Sequence, residues 1–245
     1  MDTPEIVLFP SVEELAEAAA QRITHSIQAA VQERGHCLIA LSGGKVPPRV
    51  HHIIASPPLR NQIPWEALSI IWVDERYVPF DSPDSNYLLA RQTLLDHTPI
   101  PSDQVYPVPT YYATPELAAS VYERQVQALL GTHGGQIDIS ILGMGADGHT
   151  ASLFPQHPAL NAAANQHVIA VTDAPKPPPT RISLTPAVLN RSRLALFLVT
   201  GGDKAAMLAA ALRGPFTPTE IPAQMIRPAQ GRVVWMLDAE AAIHI

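Results

Sequence analysis

The chain has 245 residues, 47% hydrophobic and 16% charged, so it carries enough apolar side chains for a sizeable core and lacks the composition of a disordered chain. With 16 Lys+Arg against 22 Asp+Glu, a formal net charge of −6 and no basic run, it has no footprint for a nucleic-acid backbone. The strongly apolar run 194–199 is far shorter than the ~20 residues a membrane crossing needs, and the acidic start Met1-Asp2-Thr3-Pro4-Glu5 matches neither a secretory signal nor a transit peptide, so the expectation is a cytoplasmic protein.

In chain order, residues 6–9 are the first expected strand. Ser11 with Glu14 three residues on makes a capping-box pattern, and Val12, Leu15, Ala16, Ala19, Ile23, Ile27 and Val31 recur at helical spacing until Gly35. Further strands are expected at 37–41, 68–73, 137–142, 167–171, 194–199 and 233–237. Most are continuous apolar runs, as in strands covered on both faces. Helices are expected from Pro47, over 86–96, over 115–130 with Thr114 as cap and Pro115 in the first turn, and over 204–212. This alternation predicts one α/β domain over 1–245, built on a mostly parallel sheet with crossover helices. The proline clusters at 99–109, 175–179 and 215–228 read as surface loops. The single cysteine, Cys37, lies in an apolar run and reads as packing.

In open parallel sheets the ligand lies beyond the carboxyl ends of the strands. There the chain reads Ser42-Gly43-Gly44-Lys45-Val46-Pro47-Pro48, Asp74-Glu75-Arg76-Tyr77-Val78-Pro79, Gly143-Met144-Gly145-Ala146-Asp147-Gly148-His149-Thr150 and Thr200-Gly201-Gly202-Asp203-Lys204. If the strands are parallel, all four loops open on one edge. Glycines let backbone approach a ligand, and a helix beginning at Pro47 would turn free amides and its positive end toward an anion. The chain has only three lysines, Lys45, Lys176 and Lys204; two fall in these loops, and Lys176 sits in the 175–179 loop with Arg181 close behind. This predicts a cationic pocket for an anionic small molecule. For Arg76 the competing reading is a local ion cluster with its neighbours Asp74 and Glu75.

His149 is the candidate acid–base group, because an imidazole takes a proton from water near neutral pH. Asp147, two residues earlier, is close enough to fix its tautomer or grip a substrate hydroxyl, with a plain turn aspartate as the alternative. Ser42 and Ser152 lie outside any Gly-x-Ser-x-Gly elbow, so direct attack by water is favoured. No histidine spacing suggests a metal site.

The stretch Leu142-Gly143-Met144-Gly145-Ala146-Asp147-Gly148-His149-Thr150-Ala151-Ser152-Leu153-Phe154-Pro155 resembles the signature of the 6-phosphogluconolactonases. Trp72-Val73-Asp74-Glu75-Arg76-Tyr77-Val78-Pro79 with Ser85-Asn86-Tyr87, Pro175-Lys176-Pro177-Pro178-Pro179-Thr180-Arg181-Ile182-Ser183-Leu184-Thr185, and Gly201-Gly202-Asp203-Lys204 resemble that family's other segments in the same order. The resemblance implies a Rossmann-like α/β fold, a mostly parallel sheet with helices on both faces, shared with glucosamine-6-phosphate deaminases. It implies hydrolysis of 6-phosphoglucono-δ-lactone to 6-phosphogluconate in the oxidative pentose phosphate pathway, with no cofactor. His149 would be the general base and Asp147 its supporting carboxylate, while Gly43, Gly44, Arg76, Arg181 and Lys204 would hold the substrate, chiefly its phosphate. The expected partner is a small sugar-phosphate lactone, not nucleic acid or membrane, with the protein a monomer or weak homo-oligomer.

The chain departs from the family pattern once. Its first loop has Lys45-Val46 where Ser-Thr is usual, so two hydroxyl donors are missing and Lys45 would supply a charge-assisted contact instead. A deaminase is the rival activity. Its loop resembles Asp-Gly-His-Ile-Ala-Phe-Asn-Glu-Pro, whose glutamate falls at Phe154 here, and it tends to carry tyrosine at the position of Arg76. A sensor that binds sugar phosphate without turnover is the third reading.

Overall fold

The computed structural model describes residues 4–162 and 165–245, so Met1, Asp2 and Thr3 of the acidic start lie outside the described residues. In chain order the strands are β1 (Glu5–Phe9), β2 (Cys37–Leu41), β3 (Leu68–Trp72), β4 (Asp74–Arg76), β5 (Ile137–Leu142), β6 (Val168–Val171), β7 (Arg181–Leu184), β8 (Ser192–Val199) and β9 (Arg232–Asp238). The helices are α1 (Val12–Arg34), α2 (Pro47–Ile54), α3 (Asn86–Thr93), α4 (Pro115–Thr132), α5 (Pro186–Leu189) and α6 (Ala205–Arg213).

Six strands form one parallel sheet in the order β1-β9-β8-β5-β2-β3. Every residue of β2, β3 and β5 is buried, so the sheet is covered on both faces, as their unbroken apolar runs require. The connections diverge at its middle: β2 leads outward to β3, whereas neighbouring β5 leads the other way to β8. Such a reversal leaves a crevice beyond the carboxyl ends of the two strands.

The helix ends follow from local chemistry. The Ser11 hydroxyl accepts from the Glu14 amide at 3.2 Å, and Gly35 closes α1 in the left-handed region at φ 79°. Thr114 caps α4 by accepting from the Leu117 amide at 3.2 Å, and Ser85 caps α3 through the Leu88 amide at 3.1 Å. From α4 the buried Tyr122 hydroxyl accepts from the Trp72 amide at 2.7 Å and donates to the Trp72 carbonyl at 3.0 Å, which satisfies the free edge of β3.

Three expectations are corrected. The strand expected at 167–171 is β6, but it joins β7 and β4 in a separate antiparallel sheet. Both partners lack an apolar run: β4 is only Asp-Glu-Arg and β7 begins with Arg181, so pairing across sequence creates them. The helix expected at 86–96 stops at Thr93 and ends in a 3-10 turn, Leu95–His97. The 215–228 segment is no mere surface loop, because Ile221, Ala223 and Gln224 are buried in it. The Gln224 amide donates to the Ala211 and Pro215 carbonyls at 3.1 and 3.0 Å, and the Ala223 amide donates to the Gly148 carbonyl at 3.0 Å. Among the described residues no helix is long and apolar enough to cross a membrane.

Candidate active site

Beyond the carboxyl ends of β2, β3, β5 and β8 lies a cavity of about 350 Å³. Its wall includes Gly43, Gly44 and Lys45 after β2, Asp74 and Arg76 after β3, Gly145 and His149 after β5, and Asp203 and Lys204 after β8, together with Lys176 and Arg181. Asp147 does not line it; this carboxylate stands behind the imidazole.

The 143–150 loop is a tight structure. The Gly145 amide donates to the His149 carbonyl at 2.9 Å, the Gly148 amide to the Gly145 carbonyl at 2.9 Å, and the Thr150 hydroxyl to the Gly143 carbonyl at 2.8 Å. Two glycines are demanded by geometry. Gly148 has φ 84°, and a Cβ on Gly145 would stand 2.1 Å from His149 Nδ1 and 2.4 Å from Asp147 Oδ1. Across that space His149 Nδ1 meets Asp147 Oδ1 at 2.5 Å. An ionised carboxylate can only accept, so Nδ1 carries the proton and Nε2 keeps its lone pair. Among the described residues Nε2 has no hydrogen-bond partner, which leaves it for a ligand. The Phe154 ring lies against the imidazole with centroids 4.7 Å apart.

Lys176 Nζ reaches the same pair, 3.1 Å from Asp147 Oδ1 and 3.3 Å from His149 Nδ1. Burial would raise the Asp147 carboxyl, but the hydrogen bonds from His149 and Lys176 and the positive charge beside it outweigh that and hold the group well below the usual carboxylate range. Asp147 is therefore no idle turn residue.

The charged side chains of the second loop are held by the small antiparallel sheet. Arg76 makes no cluster with Asp74 or Glu75; its Nη1 donates to the Asp84 carbonyl at 2.6 Å. Glu75 serves α3 instead, accepting from the amides of Arg76, Asn86 and Tyr87 at 2.7, 2.8 and 2.7 Å and from the Ser85 hydroxyl at 3.1 Å. Burial pushes its carboxyl up to about 7, with the Asn86, Tyr87 and Arg76 amides opposing. In the register of β4 with β7, Arg76 faces Arg181 directly. Like charges placed opposite each other destabilise a strand pair, a cost that an anion between them would relieve. Burial, with Arg76 adding to it and Asp74 opposing, pulls the Arg181 guanidinium below its ordinary range.

Arg181 is nevertheless heavily committed. Its Nε donates to the Pro178 carbonyl at 3.1 Å, its Nη2 to the Lys176 and Pro177 carbonyls at 3.3 Å each, and its Nη1 stands 4.0 Å from Asp74 Oδ2. Lys204 is paired with Asp203 at 2.5 Å. That hydrogen bond, together with the charges of Lys204 and Lys45, holds the Asp203 carboxyl below its usual range despite some desolvation.

The first loop departs from expectation in its donors. Pro47 and Pro48 open α2 and have no amide hydrogens, and the Arg49 amide is already bonded to the Val46 carbonyl at 3.0 Å. Free donors come from the loop: among the described residues the amides of Gly43, Gly44, Lys45 and Val46 have no protein acceptor. Gly43 is required because a Cβ there would lie 1.9 Å from Asn86 Oδ1.

Sequence reasoning placed eight residues in the site, and seven line the cavity with Asp147 directly behind. It gave Asn86 no role, read Asp74 only as a possible ion partner of Arg76, and counted Lys176 only toward a cationic pocket. Asp74 is buried in the cavity wall and accepts from the Ser152 hydroxyl at 2.6 Å, while Asn86 Nδ2 donates to the Asp74 carbonyl at 3.0 Å. The signal for Lys176 was present, since it was one of only three lysines and lay five residues before Arg181. Among the described residues no group of three or more His, Cys, Asp or Glu side chains is arranged to hold a metal ion.

Residues 10–235 match the family model described as glucosamine-6-phosphate isomerases/6-phosphogluconolactonase. The chain is 37% identical to a 6-phosphogluconolactonase of Synechocystis sp., over 99% of this chain and 98% of that protein. It is 39% identical to the 6-phosphogluconolactonase of Mycobacterium tuberculosis, over 98% of each chain. The solved 6-phosphogluconolactonase of Trypanosoma brucei superposes with a TM-score of 0.86 at 30% identity, over 100% of both chains.

Proposed function

The chain belongs to the glucosamine-6-phosphate isomerase/6-phosphogluconolactonase family, and on that premise we propose that it hydrolyses 6-phosphoglucono-δ-lactone to 6-phosphogluconate, as a carboxylic ester hydrolase of the oxidative pentose phosphate pathway. The observation that carries the mechanism is the Asp147–His149 pair, its Nε2 unpartnered, in one cavity with Lys45, Arg76 and Lys204.

His149 Nε2 takes a proton from water as the water oxygen bonds to the lactone carbonyl carbon. Asp147, through Nδ1–H, fixes the tautomer and stabilises the imidazolium that forms. The tetrahedral intermediate collapses by breaking the bond to the ring oxygen, which leaves with the proton that His149 returns. A positioned base contributes about 10²- to 10⁴-fold. At the far end the 43–46 amides with Lys45, Arg76 and Lys204 hold the phosphate, so that remote binding energy orients the ring for attack. Arg181 adds its charge to that end, and its hydrogen bonds organise the wall. Substrate and product are anions that do not cross bilayers unaided, in keeping with a cytoplasmic enzyme.

Phe154 favours the lactonase over the deaminase. It packs on the imidazole where a deaminase would carry its proton-transferring glutamate, and a phenyl ring transfers no proton. Adding purified protein to freshly made lactone should release acid well above the spontaneous rate, with no ammonia from glucosamine 6-phosphate. Acid release at the background rate would refute the lactonase. Tight product binding without turnover would instead mark a sensor.

A further inference from the structure

The 175–179 loop carries no catalytic assignment in the mechanism above, yet it is firmly clamped. Its ends are tied by the Ala174 amide donating to the Pro179 carbonyl at 2.9 Å, and Arg181 takes the carbonyls of Lys176, Pro177 and Pro178 from inside. The Arg181 guanidinium lies 5.4 Å from the centroid of the Phe154 ring, whose own centroid is 4.7 Å from that of His149. One buried arginine thus ties the loop to the packing partner of the imidazole. A lysine on an ordinary surface loop has a mobile head group. Here the Lys176 side chain is 42% exposed, yet its ammonium ends between the two members of the catalytic pair.

We propose that Lys176 is a positioning residue: its ammonium, delivered by the Arg181-clamped loop, balances the charge of Asp147 and so keeps the His149 imidazole free to accept a proton from water. This rests on the lactonase reading for its kinetic consequence, but not for its electrostatics. A carboxylate 2.5 Å from Nδ1 by itself favours the imidazolium, and an imidazolium has no lone pair for a water proton. A cation 3.1 Å from the same carboxylate oxygen and 3.3 Å from Nδ1 acts in the opposite sense. Asp147 can then be near enough to hold the tautomer without holding the ring in its charged form. The other charged groups on the cavity wall are Asp74, Asp203, Lys45, Arg76, Arg181 and Lys204. Asp74 faces Arg181, and Asp203 is paired with Lys204, which leaves Lys176, among the described residues, as the one cation in direct contact with the pair.

The test is Lys176→Met, which keeps the stem and removes the charge, with Lys176→Arg as the conservative rescue. The acid limb of kcat/KM against pH should move up by about one pH unit in the Met variant and stay at the wild-type position in the Arg variant. Nitrogen-15 NMR titration of the His149 imidazole, assigned with His149→Gln, should show the same displacement without any turnover. An unmoved limb and an unmoved NMR midpoint overturn the proposal, whether the rate falls uniformly, as for a substrate contact or a packing role, or is unchanged. Should the wild type fail to hydrolyse the lactone, the functional reading falls, and the NMR comparison still decides the role of Lys176.

Discussion

Two carboxylates at opposite ends of the parallel sheet have similar neighbours and opposite fates. At the amino-terminal edge Asp138 is 4% exposed and accepts from Arg34 Nη2 at 2.9 Å and the Leu38 amide at 2.8 Å, with Arg193 Nε 3.4 Å away. At the carboxyl edge Asp147 is 32% exposed and shares one oxygen between a lysine and an imidazole. Among the described residues Asp138 has only permanently charged or backbone hydrogen-bond and ion-pair partners, and it ties α1, β2, β5 and β8 together. Asp147 has a titratable partner whose other nitrogen is left for a ligand. What separates structure from chemistry is whether one member of the cluster can still exchange a proton with the cavity.

The comparison breaks first at His149. His149→Ala should lower kcat by about 10²- to 10⁴-fold while leaving product affinity and the unfolding midpoint nearly unchanged, read by acid release, product titration and thermal melting. A variant within a few-fold of wild type would remove the imidazole as the base. Asp138→Ala should do the reverse, costing about 3 kcal/mol in urea unfolding by leaving Arg193 without its counter-charge and Arg34 with only the exposed Glu33, with kcat unaltered for the folded fraction. Loss of kcat without loss of stability there would erase the distinction between the two ends.

Lys45→Ala sharpens the contrast at the phosphate end. Losing one charge-assisted contact should raise KM about tenfold with little change in kcat, measured by initial rates across substrate concentrations. An unchanged KM would assign the phosphate to the loop amides, Arg76 and Lys204 alone. The smallest effect concerns His133, near Asp138, whose ring packs against His36 at 4.3 Å. Burial pushes its pKa below the ordinary value near 6.5, with His36 adding to this and the Leu129 carbonyl and Asp138 opposing. Between the lowered value and 6.5 the unfolded chain binds the extra proton, so stability should fall as pH drops through that window. His133→Gln should flatten the slope in urea unfolding at matched pH values, and a slope equal to wild type would exclude His133 as its source.

The parts of this molecule legible in the chain are those whose information is local. The Ser11 and Thr114 caps, the Gly35 stop and the apolar runs of β2, β5 and β8 were read with bounds close to those observed, because capping, left-handed glycine and two-sided burial leave their marks on neighbouring residues. The small antiparallel sheet left no such mark. β4 is three charged residues, and its pairing with β7, more than a hundred residues away, is settled by side-by-side packing. The 215–228 segment was misread for a similar reason: proline content signals a loop, but burial of Gln224 and the bond from Ala223 to Gly148 belong to the folded chain.

By itself the sequence determined the α/β alternation, the loops that meet at one sheet edge, the histidine–aspartate pair and the family, since each rests on residue type, short spacing or an extended motif. Only the tertiary structure decided which cations remain open to a ligand, because hydrogen bonding and ion pairing depend on distances between residues far apart in the chain. That is how Arg181 came to hold loop carbonyls, Lys204 to pair with Asp203, the loop amides to replace those missing from Pro47 and Pro48, and Lys176 to stand beside Asp147.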